Sequence, residues 1–236
     1  MPSKRWEIAQ TYEKNWWDEK AELIDFEFYK NYATDLKQFI NEYLIIKDDT
    51  KILEVGSGAG GIITFLNESK LRFAIDPLED FYSEVENFKK QRDHEVKYRN
   101  AVGENLPFEN NNFDLIIMDN VLDHCDNPNE VMKEVVRVLK KEGIIYFKQN
   151  TYHYWGKAIR SIMEFFTIDK GHPYTFSKKM IKRLIKKYNL KTLKKLNTGY
   201  MKTWKREFLS KNLKDKIKAF LLVTRNKRIY LLKKNS

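Results

Sequence analysis

The sequence predicts an α/β fold: a doubly wound, mainly parallel seven-stranded sheet with helices on both faces, a helical extension at the N-terminus and an inserted lid helix. Three observations predict it. The short run Lys51-Ile52-Leu53-Glu54-Val55 passes directly into a glycine-dense turn, Gly56-Ser57-Gly58-Ala59-Gly60-Gly61. Apolar strand-like runs then alternate with amphipathic helical segments as far as Phe147, which implies right-handed crossovers and a sheet covered on both faces. Beyond residue 176 the helix-and-strand rhythm resumes in strongly basic form.

Residues 5–46 read as helical, with an apolar rhythm through Phe26, Tyr29, Tyr32, Leu36, Phe39, Ile40, Tyr43 and Leu44. The forepart, Tyr12 to Asp18, is aromatic enough to fold over the opening of a site, and Trp17 is a candidate contact there. The spacing predicts strands at Ile52–Val55, Leu71–Ile75, Glu95–Arg99, Phe113–Met118 and Ile144–Phe147. Crossover helices are expected over 59–68, 78–92 and Pro128–Leu139, with Glu142-Gly143 turning the chain into the fifth strand. Thr151 to Ile168 holds five aromatics before the break Gly171-His172-Pro173, and reads as a lid helix near 156–166. Ser177 is placed to cap a basic helix ending near Tyr188. A strand near 190–196, a helix near 203–218 and a strand near 228–233 complete the chain. One domain is expected over residues 1–236: an extension (1–49), a ligand-binding core (50–150), a lid or substrate insert (151–175) and a basic completion of the sheet (176–236).

Composition narrows the function. With 42% hydrophobic and 14% aromatic residues the chain can bury a sizeable core, while a mean hydropathy of −0.64 and no long apolar run argue against a membrane-spanning helix. No signal peptide is apparent, and the lone Cys125 excludes an intrachain disulfide and a cysteine-rich zinc site. A cytoplasmic setting is the expectation. No metal-ligand cluster is evident. The net charge of +11 is uneven: residues 171–236 hold 21 Lys or Arg against Glu207 and Asp215, leaving the rest about −8. Such a tail suits an anionic partner, whether RNA, a phosphorylated small molecule or an anionic membrane surface, or else a set of solvated helix faces.

Glycines let a turn adopt positive φ and approach a ligand closely, and a helix start offers unpaired N–H groups. Gly56, Gly58 and Gly61 satisfy a G-x-G-x-x-G spacing, so the loop by itself suits either a dinucleotide or S-adenosylmethionine. In such sheets ligands sit beyond the carboxyl ends of the strands. Asp76, closing the second strand, is where a carboxylate would accept two ribose hydroxyls.

Downstream motifs separate the two ligands. Glu104-Asn105-Leu106-Pro107-Phe108, Phe113-Asp114-Leu115-Ile116-Ile117-Met118, Asn120-Val121-Leu122-Asp123-His124 and Glu134 to Gly143 resemble the class I S-adenosylmethionine-dependent methyltransferases, in particular the ubiquinone/menaquinone-biosynthesis-type group. The likeness covers residues 50–150 and implies a Rossmann-like fold. It assigns the methionine part of the cofactor to Glu54, Gly56, Ser57 and Gly58, the ribose to Asp76, the adenine side to Gly103 and Glu104, and the wall after the fourth strand to Asn120. Val102 departs from the pattern, because relatives often carry an Asp there.

Methyl transfer is an in-line displacement in which the protein aligns the groups and, for a hydroxyl acceptor, supplies a base. His124 is the first candidate base, with Asp123 beside it and His153 as a further candidate after the fifth strand. Tyr152, Tyr154, His172 and Tyr174 are candidate acceptor contacts. No Asn/Asp-Pro-Pro-aromatic run follows the fourth strand, which argues against methylation of an exocyclic nucleobase amine. The expectation is O- or C-methylation of a small molecule. The alternatives are an RNA methyltransferase using the basic C-terminal region and a non-catalytic S-adenosylmethionine-binding protein.

Overall fold

The computed structural model describes residues 2–166 and 170–235. The first strand, β1 (Lys51–Val55), is central among β2 (Leu71–Asp76), β3 (Lys97–Asn100), β4 (Phe113–Asp119), β5 (Leu139–Thr151), β6 (Leu190–Asn197) and β7 (Asn226–Lys234). These form one seven-stranded sheet in the order β3-β2-β1-β4-β5-β7-β6. β1 to β5 pair in parallel, while β7 runs antiparallel to both β5 and β6. The strand order reverses between β1 and β4, the place where open α/β sheets form a ligand crevice.

The apolar residues of β1 (Ile52, Leu53, Val55) and the continuous run Leu115 to Met118 of β4 follow from burial on both faces. Leu53, Val55, Ile116 and Met118 belong to one core, with Val131, Met132 and Val135 of α5 (Pro128–Val138). Ile52, Leu115 and Ile117 belong to the other core, which also takes Tyr29, Ala33, Leu36 and Ile40 of α2 (Glu27–Ile40). That four-residue stripe recurs at helical spacing and seats α2 against the sheet. Asn127 caps α5, its Oδ1 accepting from the N–H groups of Asn129 and Glu130, and Pro128 sits where a missing N–H costs nothing.

Several expected boundaries move, each for a visible reason. The helix expected over 59–68 is only a single 3-10 turn, Ile62–Phe65. The Glu54 carboxylate caps its start, taking the N–H groups of Ile63 and Ile62 at 2.8 and 3.1 Å, and the turn ends where Leu66 leaves helical backbone, at φ −103° and ψ 52°. The segment 78–92 is two short helices, α3 (Glu79–Tyr82) and α4 (Glu86–Gln91), separated where Val85 becomes extended. The N-terminal extension is α1 (Lys4–Asp18) followed by turns and α2. The third strand starts two residues later than expected, because Asp93 and Glu95 are drawn to the fully buried Arg72, at 2.9 and 3.0 Å. β5 begins already at Leu139, with an irregular register against β4 in place of the turn expected at Glu142-Gly143.

After β5 come α6 (Tyr154–Phe165), α7 (Lys178–Lys187), α8 (Tyr200–Phe208) and α9 (Leu213–Phe220). Ser177 caps α7 through the N–H of Met180, as expected. The helix expected over 203–218 is divided between α8 and α9, with Asn212 capping the second. The part of the expected lid insert at 167–169 lies outside the described residues. No helix of the described residues is long and apolar enough to cross a membrane.

Candidate active site

A cleft of about 360 Å³ opens at the carboxyl edge of β1, β2, β4 and β5. Its floor begins at the glycine loop. Gly61 has φ 79° and ψ 162°, a region essentially confined to glycine. A Cβ there would stand 2.5 Å from Glu54 Oε2. Gly61, incidental when the loop is read for ligand type, is therefore required to let Glu54 seat the following turn. Gly58 is also at positive φ, with Trp17 and the Tyr29 hydroxyl closing over it. Tyr29 donates to the Ser57 carbonyl at 3.3 Å, joining α2 to the loop. Arg92 braces the loop from behind: its Nε donates to the Ala59 carbonyl while its other nitrogens pair with Glu79 at 2.7 and 2.8 Å.

Two carboxylates are buried in this floor. Burial pushes Glu54 up to about 8, against the two N–H bonds that favour its charge, with nearby Asp119 and Asp76 adding to the rise. Burial likewise raises Asp76 to about 7, with Glu13 and Glu79 adding and the N–H groups of Leu78 and Gly58 opposing. Asp76 accepts from Gly58 and Leu78, both at 2.9 Å. A carboxylate has about four lone-pair sites, so capacity for two further donors remains, as a ribose diol requires.

Glu104 is turned differently. Its Oε1 accepts from the N–H groups of Asp126 and Asn127, which ties the wall after β3 to the start of α5. Asn120 takes a left-handed conformation at the end of β4, with φ 60°. Its Oδ1 receives the N–H of Asn150 and an amide proton of Gln149, and its own amide donates to Asp123. Asp123 also accepts from Gln149 at 2.7 Å. Its carboxylate thus belongs to a buried amide network. The partner of His124 comes instead from α1: Glu13 Oε2 stands 3.0 Å from His124 Nδ1. Although burial opposes the charge, His124, Trp17 and His172 together hold the Glu13 carboxyl below its usual range.

Of the sequence-expected residues, Trp17, Glu54, Gly56, Ser57, Gly58, Asp76, Gly103, Glu104, Asn120 and His124 all line this cleft. His172 is outside the lining residues and packs behind His124, their ring centroids 4.6 Å apart. Asp123, His124 and His172 bring possible ligand atoms within 4.8 Å of one another, and each oxygen of Asp123 receives one amide proton. Tyr152, His153 and Tyr154 line a second cleft of about 750 Å³. There His153 caps α6 and faces Tyr200 and the Leu222 carbonyl, so it does not share the opening of His124. Tyr174 donates to the Asp126 carbonyl.

The cover over the cleft is α1, not α6: Trp6, Gln10, Glu13 and Trp17 line it from one helix face. Missed in the sequence were Glu13, Tyr29, Lys148, Arg225 and Lys227, all of which line the cleft, as does Asp119 at the end of β4. The aromatic forepart was the only signal that α1 approaches it.

Residues 53–147 match a protein family described as a methyltransferase domain. The chain is similar to the Methanocaldococcus jannaschii protein MJ1123, 31% identical over 137 residues covering 58% of this chain and 56% of that protein. It is also similar to the ubiquinone/menaquinone biosynthesis C-methyltransferase UbiE of Campylobacter jejuni, 27% identical over 127 residues, 52% of this chain and 54% of the other. The chain thus spans about half the length of the curated relatives it matches. Among solved structures, the geranyl diphosphate C-methyltransferase of Streptomyces coelicolor shares the fold, with a TM-score of 0.65 at 13% identity over 86% of this chain and 80% of that one. Strand order, glycine loop and the methyltransferase-domain match over residues 53–147 converge on the class I S-adenosylmethionine-dependent methyltransferases as the group this chain resembles.

Proposed function

We propose that the protein transfers a methyl group from S-adenosylmethionine to an oxygen or carbon of a small-molecule acceptor. The observation that carries this reading is the Glu13–His124 pair, set in the same cleft as the glycine loop and Asp76. In this reading Asp76 holds the ribose hydroxyls, Gly56, Ser57, Gly58 and Asn120 surround the methionine part, and Val102 and Gly103 wall the adenine. Glu54 and Glu104 keep the loops in shape through their N–H bonds. When bound, the cofactor supplies a methyl group on a positively charged sulfur, which is the electrophile.

The protein's part is alignment and proton movement. Good orientation lowers a barrier by about 7–11 kcal/mol. In this reading the Glu13 carboxylate, 3.0 Å from Nδ1 of His124, favours a proton on that nitrogen, which leaves Nε2 as the basic nitrogen to take a proton from the acceptor. Trp17 and Tyr29, closing over Gly58, keep water from the reacting end. The named chemistry of a C-methyltransferase relative and of a fold neighbour acting on geranyl diphosphate supports a small-molecule acceptor. The test is transfer of tritiated methyl groups to fractionated cell extract. Label is expected among small molecules. Label in RNA alone overturns this reading in favour of the RNA alternative, and no label in any fraction favours a non-catalytic binding protein.

For the basic C-terminal region we infer docking on an anionic lipid surface. Leu213, Ile217 and Phe220 form an apolar stripe on α9 that points to solvent, with Phe220 83% exposed and only Ala219 buried. On α6, Trp155, Ile162 and Phe165 are exposed too. Both acids of residues 171–236 are occupied within the protein, Glu207 by Thr224 and Asp215 by Ser210. On α9 the exposed apolar groups thus alternate with exposed Lys214, Lys216 and Lys218, the combination that seats helices in an anionic interface. Co-sedimentation with phosphatidylcholine vesicles containing phosphatidylglycerol is expected, and none with phosphatidylcholine alone. Equal or absent binding to both, or preferential binding of an RNA oligonucleotide, contradicts it.

A further inference from the structure

The far end of the same cleft has a different character. β7 is antiparallel to β5, so the beginning of β7 lies beside the end of β5, with Asn150 opposite Lys227. This brings Lys148, Arg225 and Lys227 to the edge that also carries Asp76 and the glycine loop. Along that edge β7 is four strands from β2, roughly 19 Å at the usual spacing. On the reading above, the donor occupies the β2 and β1 side, with its ribose at Asp76 and its methionine at Gly56–Gly58. The β5–β7 end is then left for the acceptor.

The charges at that end do not cancel. Lys148 is paired with Asp119 at 2.7 Å and lies over the Tyr32 ring, 4.1 Å from its centroid. Among the described residues neither Arg225 nor Lys227 has an ion-pair or hydrogen-bond partner for its side chain. Lys227 is half-buried beside Lys148 and the exposed Arg225; burial together with these cations holds its ammonium below the usual lysine range, against the opposing charge of Asp119. Such a cluster works against the folded state unless an anion completes it. The opposite end holds Glu13, Glu54 and Asp76, so the cleft is polarised from acidic to basic.

We propose that Lys227 and Arg225, with Lys148 behind them, form a subsite for an anionic group of the acceptor, a carboxylate or a phosphate. The inference rests on the methyl-transfer reading and narrows its substrate class to acceptors carrying such a group. The anion would also orient the molecule. Anchored at β7, its reacting atom extends toward the donor and His124.

The test uses the full chain saturated with S-adenosylhomocysteine, titrated calorimetrically with inorganic phosphate in one arm and acetate in the other. Saturable binding of at least one anion is expected, and the tighter arm identifies the group. Lys227→Gln and Arg225→Gln are each expected to weaken it about tenfold while S-adenosylhomocysteine affinity stays within about twofold, which also reports that the variants are folded. Anion binding unchanged in both variants, or absent in the wild type, overturns the proposal. A parallel tenfold loss of S-adenosylhomocysteine affinity overturns it as well, by assigning the cations to the donor's own carboxylate. Failure of the wild type to bind S-adenosylhomocysteine defeats the methyl-transfer reading, and with it the assignment to an acceptor.

Discussion

Glu13 Oε2 lies 3.0 Å from His124 Nδ1, and this contact joins the N-terminal helix to the loop after the fourth strand. The residues are 111 positions apart, so the pair exists only when α1 is docked across the cleft. A base of the proposed reaction and its positioning partner are thus completed by the same element that covers the site.

The pair predicts a division of effects. His124→Gln is expected to lower kcat about 100-fold, within the usual contribution of a positioned base, with S-adenosylhomocysteine affinity unchanged. Glu13→Gln should cost less and move the acid limb of the kcat–pH profile to lower pH, because the imidazolium loses a neighbouring negative charge. Full turnover by the His124 variant, measured with the acceptor found by labelling, removes the assigned base.

Asp76 predicts a pH dependence of cofactor binding. Its carboxyl is raised to about 7, and accepting two hydroxyls favours the ionised form. S-adenosylhomocysteine should bind about tenfold more tightly at pH 8 than at pH 6, and Asp76→Asn should abolish that difference. For the ligand-free protein the sign is opposite. Both Asp76 and Glu54 have folded values above their unfolded ones, so their contribution is fully present below about pH 4. It is lost as pH rises through about 7 and 8. The ligand-free melting temperature should therefore fall across that range, and calorimetry at stepped pH measures it.

How much was legible depended on how local the cause was. β1, β2 and β4 were readable because a strand buried on both faces is a short, mostly apolar run: Leu115 to Met118 is continuous, and Ile52, Leu53 and Val55 are interrupted only by the buried Glu54. Asp76 was readable because an acid ending such a strand falls at the ligand edge. The helix expected after Gly61 stops after one turn, where Leu66 leaves helical backbone and the Ile63 and Thr64 carbonyls face the buried guanidinium of Arg72, a partner distant from the turn's own pattern. Glu13 looked like any exposed helix acid, and nothing near it in the chain announces His124. The cation cluster joins Lys148 to Lys227 across an antiparallel pairing of strands distant in sequence, which spacing alone does not reveal.

The glycine loop predicts a stability effect at one position. Gly61→Ala places a Cβ against Glu54 in a backbone region that L residues avoid. It should destabilise the fold by on the order of 1–3 kcal/mol, read from urea unfolding. A change below about 0.5 kcal/mol contradicts the strained-turn account.

The brace behind the loop predicts another. Arg92 and Glu79 are both about nine-tenths buried and bonded twice. Glu79→Ala, which leaves the guanidinium unpaired, should cost about 3–5 kcal/mol, whereas replacing both residues by methionine should cost much less. Equal losses in the single and double variants exclude the unpaired charge as the cause.

In the proposed reaction S-adenosylmethionine is held between Asp76 and the glycine loop. Calorimetric titration with S-adenosylhomocysteine tests it most directly, in the wild type and in Asp76→Ala, beside a parallel titration with NAD. One-to-one binding by the wild type, weakened at least about tenfold by Asp76→Ala and absent for NAD, is the predicted result. Binding of NAD in place of S-adenosylhomocysteine, or S-adenosylhomocysteine binding unaffected by loss of the Asp76 carboxylate, contradicts it.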